Sequence, residues 1–68
     1  MEKTLAKIIL RAEEIADKSS DESQFSSCRR AAKLACEEFN MPKLEEPVYY
    51  LILHSWNDIQ DWAKEQHE

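Results

Sequence analysis

Apolar residues return every three or four positions along most of this chain, the signature of helices that each bury one face. Over residues 2 to about 18 the apolar positions are Leu5, Ile8, Ile9, Ala12, Ile15 and Ala16, with Lys3, Lys7, Glu14 and Lys18 on the opposite side. Glu14 and Lys18 have the i,i+4 spacing of a helix-surface ion pair. Leu10 falls off the stripe and reads as an ordinary exposed leucine. The stretch KSSDE (Lys18 to Glu22) then ends one helix and starts another, because serine and aspartate compete for backbone hydrogen bonds. Asp21 and Gln24 have the spacing of a capping box, with Ser20 as the competing N-cap.

A second helix is predicted over residues 21 to about 39, with a stripe of Phe25, Cys28, Ala32, Ala35, Cys36 and Phe39. Its small central residues invite close approach by a neighbour, expected to be the helix that carries both tryptophans. Asn40 is placed to end it in the left-handed conformation, Met41 follows as the apolar residue such a cap favours, and Pro42 forbids continuation. Leu44 is expected to tuck into the core. Pro47 suits a first helical turn, with Glu45 and Glu46 at the positive end of the dipole. A third helix is read over about 47 to 66 with Val48, Leu51, Ile52, Ser55, Ile59 and Trp62 facing the core. A second stripe, Tyr49, Leu53 and Trp56, is left over.

The fold class is therefore all-α, a single domain over residues 1–68 built as a small three-helix antiparallel bundle. Composition agrees: the chain has no glycine and two prolines, which excludes a hairpin-rich β protein. A core of this size supplies about 3 to 5 kcal/mol of net stability, so self-association, most simply as a homodimer, is expected.

Charge changes the picture in one respect. The nine Lys and Arg against fourteen Asp and Glu leave a net charge of −5, and residues 41 to 68 hold two basic and six acidic groups. An acidic surface repels nucleic acid and anionic membranes and attracts a basic partner. No uncharged apolar run reaches the length of a secretion signal or membrane span, so a cytoplasmic protein with reduced cysteines is expected. Cys28 and Cys36, about 12 Å apart along one helix, are too distant for a disulfide.

Candidate chemistry is sparse. His54, Asp58, Asp61 and Glu65 would share a face of one continuous helix, but one histidine with flanking carboxylates supplies too few metal ligands, and no metal or other cofactor is expected. The cysteines sit on the small-residue stripe, where a thiol packs as a small hydrophobe, although Arg29 could lower the pKa of Cys28. The glycine-based nucleotide and hydrolase motifs are excluded by composition, and an enzyme is not expected. The carboxylate pairs, Glu13 with Glu14 among them, read as solvated surface. Arg29, Arg30 and Lys33 form a basic cluster that suggests, as the alternative reading, a helix-turn-helix-like DNA-binding regulator. Three charges followed by Glu37 and Glu38 make a weak phosphate-binding face. The leading expectation is a protein–protein interaction module that regulates or inhibits a larger protein, a role that suits the size and charge of phage or mobile-element accessory proteins. Its partner-binding residues are expected to be Tyr49, Tyr50, Leu53, Trp56, Asp58 and Asp61, because buried Tyr and Trp anchor interfaces.

Overall fold

The computed structural model describes residues 2–19 and 23–67, without the side chain of His67. It is all-helical over those residues: α1 (Glu2–Asp17), α2 (Gln24–Glu38), a 3-10 turn (Pro42–Leu44), α3 (Glu45–His54) and α4 (Trp56–His67). The first helix falls where the apolar spacing puts it, and the second begins at Gln24, later than the start at residue 21 that the spacing suggests. Ser23 is the N-cap of α2, its hydroxyl accepting from the Ser26 amide at 3.2 Å. The capping box expected at Asp21, and its alternative at Ser20, lie outside the described residues.

The end of α2 follows from Asn40. With φ of 56° it is the one non-glycine residue in the left-handed region among those described. The Met41 amide donates to the Cys36 carbonyl at 2.8 Å and the Asn40 amide to Glu37 at 3.0 Å, the paired bonds of a Schellman motif. Met41 and Leu44 then pack against the core. Pro47 lies in the first turn of α3, behind Glu45 and Glu46.

The expected third helix is two helices, so the described residues form four. Ser55 adopts φ −134°, ψ 38°, outside helical geometry, and divides residues 45–67. Both backbone groups of Ser55 are satisfied at the break: its amide donates to Leu51 at 2.9 Å and its carbonyl accepts from Ile59 at 2.7 Å. Ser55 thus ends α3 and stands at the N-cap of α4, with Asp58 in the first turn, where an acidic residue meets the positive end of the dipole.

The break decides what the second half covers. α1 and α2 form the central pair, α3 packs mainly on α2, and α4 packs on α1. The tryptophan-bearing helix therefore lies against α1, not against the alanine-cysteine stripe of α2 as expected from sequence; α3 takes that place. The core holds Ile8, Ile9, Val48, Ile52 and Tyr49 among Ala6, Ala12, Ala31, Ala32, Ala35, Ala63, Cys28 and Cys36. Leu10, expected on the outside, packs against this core. Phe25, expected at one end of the α2 stripe, is 65% exposed. It falls in the first turn of α2. The radius of gyration, 10.6 Å, is close to the roughly 11 Å of a single compact domain of this length.

Ion pairs tie the helices at their edges. The Arg11 guanidinium donates from Nε to Glu38 Oε1 at 3.0 Å and from Nη2 to Oε2 at 3.2 Å, a forked contact from α1 to α2, and also meets Glu14. Arg30 donates to the Ser19 hydroxyl, which itself donates to the Ile15 carbonyl at 3.0 Å. That pair joins the end of α1 to α2.

Candidate functional site

The residues expected to bind a partner come from both sides of the Ser55 joint, and the structure divides them. Tyr49 belongs to the core, 9% exposed. The Arg29 guanidinium carbon lies 4.2 Å from the Tyr49 ring centroid, while Arg29 Nη1 is 3.7 Å from Glu45 Oε2. A cation over an aromatic face adds about 0.5 to 1 kcal/mol at a partly exposed site, so this contact helps to hold α3 on α2.

Tyr50, the next residue, turns outward and is 51% exposed. Its ring lies nearly parallel to that of His54, centroids 6.1 Å apart at an interplanar angle of 9°. Leu53 and Trp56 are half-buried, packed against the core on either side of the joint. Asp58 and Asp61 are exposed on α4. A cleft of about 310 Å³ opens at the joint between Leu53, His54, Ser55, Trp56, Asn57 and Asp58.

Because the helix breaks at Ser55, His54 no longer shares a helical face with Asp58, Asp61 and Glu65. Among the described residues no group of three or more His, Cys, Asp or Glu side chains is arranged to hold a metal ion. Of the basic cluster, Arg29 is engaged with Tyr49 and Glu45, Arg30 with Ser19, and Lys33 is exposed. Cys28 and Cys36 are buried free thiols, and burial pushes both up from the ordinary value. Such an environment suits a packing cysteine rather than an activated thiolate. No helix among the described residues is long and apolar enough to cross a membrane.

Sequence reasoning missed Glu13, read there as solvated. It is 2% exposed on α1, and neither carboxylate oxygen has a hydrogen-bond partner. Burial pushes its carboxyl up to about 7, with Asp61 of α4 adding to the rise and Lys64 of α4 opposing it. The signal was present: Glu13 follows Ile9 by four positions and Ala6 by seven, so it borders the apolar stripe and is covered once a helix docks on that side. It lines a second cleft, about 210 Å³, between α1 and α4, together with Leu10, Glu14, Asp17, Trp56 and Gln60. Trp56 therefore stands between two hollows, one at the joint and one against α1.

Comparison with known proteins finds no matching family model, no matching curated protein and no matching solved structure.

Proposed function

We propose that this protein is a small interaction module that docks a basic segment of a larger protein on the aromatic and acidic face where α3 meets α4, and regulates that protein by occupying the segment. The observation that carries this reading is the aromatic surface at the joint: Tyr50 stands half-exposed and stacked on His54 beside the cleft that Leu53 and Trp56 line. Exposed Tyr, with Trp at the wall of a hollow, is the composition of interface anchors. Asp58 lines the same cleft, Asp61 is exposed one turn further along α4, and the chain as a whole carries a net charge of −5, which selects a basic partner and speeds its encounter.

The test is an NMR titration with a lysine-rich peptide, repeated at rising salt. The expected shifts cluster on Tyr50, Leu53, Trp56, Asp58 and Asp61 and shrink as salt screens the charges. Tyr50→Ala weakens binding about tenfold, equivalent to roughly 1.4 kcal/mol. Shifts spread evenly over the chain, or none at low salt, would sink the proposal. Sedimentation of wild type and of Tyr50→Ala completes it: a concentration-dependent dimer lost in the variant would assign the face to a second copy of this chain instead.

A further inference from the structure

A carboxylate buried with both oxygens unpartnered calls for an explanation, since buried polar groups in folded proteins are almost always satisfied. Glu13 is such a group, and it sits in the wall of a hollow rather than in a sealed core. The other walls are chemically specific. Leu10 and Trp56 provide apolar surface, Asp17 provides negative charge, as does Glu14 although Arg11 also meets it, and Gln60 provides an amide. A ligand that matches them has an apolar stem and a positive head.

We propose that this α1–α4 cleft binds a primary alkylammonium group, presented by a lysine side chain of the basic partner inferred above. The proposal rests on that reading for the source of the ammonium, and on the cleft alone for its chemistry. A metal ion is a poor match, because no group of carboxylates among the described residues has metal-holding geometry. A guanidinium is a poorer match than an ammonium. The Glu13 oxygens have almost no accessible surface, so they present no in-plane pair for a planar fork, whereas a compact charge seated beside Glu14 and Asp17 needs no such pair. The four-carbon stem of lysine matches the apolar surface that Leu10 and Trp56 supply.

Entry of the ammonium favours ionised Glu13, whose neutral form burial otherwise supports. The groups that bear on it are Glu14 and Asp17 on its own helix, Cys28 of α2, and Asp61 and Lys64 of α4. Binding therefore strengthens as pH rises through neutrality, and reciprocally the bound cation lowers the Glu13 midpoint.

The probe is n-butylammonium chloride, with sodium chloride at matched ionic strength and n-butanol as controls. NMR of the Glu13 side-chain carboxyl reads the midpoint directly. Butylammonium should lower it by about one pH unit, the counterpart of a tenfold preference for the ionised carboxylate, and should move the Leu10, Trp56 and Gln60 resonances. The two controls should do neither. Glu13→Gln should bind butylammonium about tenfold more weakly above neutral pH and show no pH dependence there; should that variant fail to fold, the wild-type midpoint decides the matter. An equal midpoint in sodium chloride, or resonance changes outside the cleft, overturns the proposal. Docking of the lysine-rich peptide at Tyr50 and Asp58 with the Leu10 and Gln60 resonances, which belong to the α1–α4 cleft alone, unmoved overturns it too, and leaves the interaction module standing. Butylammonium in the cleft with no peptide docking supports the ammonium site and overturns the partner.

Discussion

Glu13 makes stability depend on pH in a way a helical surface carboxylate does not. Its carboxyl titrates at about 7 in the folded chain against an ordinary value of 4.5, so the folded state holds the proton more tightly than the unfolded one. The contribution of this group is consequently most favourable below 4.5, falls as pH climbs from there, and levels off above about 7. The whole loss is on the order of 3 kcal/mol. Urea titrations across that window should show wild type weakening while Glu13→Leu stays flat and exceeds it above neutrality, because a buried unpaired charge is replaced by packing of similar volume. A Glu13→Leu variant that tracks wild type across the window would place the carboxyl in water. At this scale the sequence discloses types but not directions. Tyr49 and Tyr50 are neighbours of the same kind, one buried under Arg29 and one open; the choice depends on where α2 lies, which no local pattern specifies.

The helices divide into those whose ends are written locally and one that is not. Asn40 takes the left-handed conformation expected of it, Pro42 opens the next turn, and Glu45 and Glu46 begin α3. Asparagine is tolerated at such a position but bears a Cβ, so in unfolding free energy from urea titration Asn40→Gly should gain a few tenths of a kcal/mol and Asn40→Ala lose about 1 kcal/mol. Equal stability of the two variants would mean that the Schellman bonds do not depend on this residue. The Ser55 break was legible only in part. Ser55 and Asp58 have the S-x-x-D spacing of an N-cap, yet the apolar periodicity runs through them as if one helix continued. Tertiary packing decides between the two: one straight helix cannot cover α2 with Val48 and Ile52 and also cover α1 with Ala63. Ser55→Ala removes a hydroxyl that favours non-helical geometry there, and should lower stability by about 1 kcal/mol, read by the same measurement. A stabilised variant would show that the joint is not maintained by the serine.

Over the whole molecule the core is small-sided. Among the described residues six of the thirteen buried apolar ones are alanine, which brings helix backbones close but removes little apolar surface per residue. Each large core side chain then carries an unusual share. Ile52 is fully buried on α3, and Ile52→Ala should cost about 2 to 5 kcal/mol against a total of roughly 3 to 5 for a domain of this size. The variant should be largely unfolded by circular dichroism at physiological temperature; a cooperative, native-like melt would show that the core is shared with a second chain. The overall class, all-helical, was legible because period, caps and the absence of glycine agree, whereas the four-way arrangement was not, since it rests on which faces meet. That arrangement also has a kinetic side. α1 packs on α4 as extensively as on its sequence neighbour α2, so nearly the full chain must be closed into a loop before the last helix is gathered in. Contacts so distant in sequence raise the contact order above that of a bundle built only from consecutive pairs, and they slow folding accordingly.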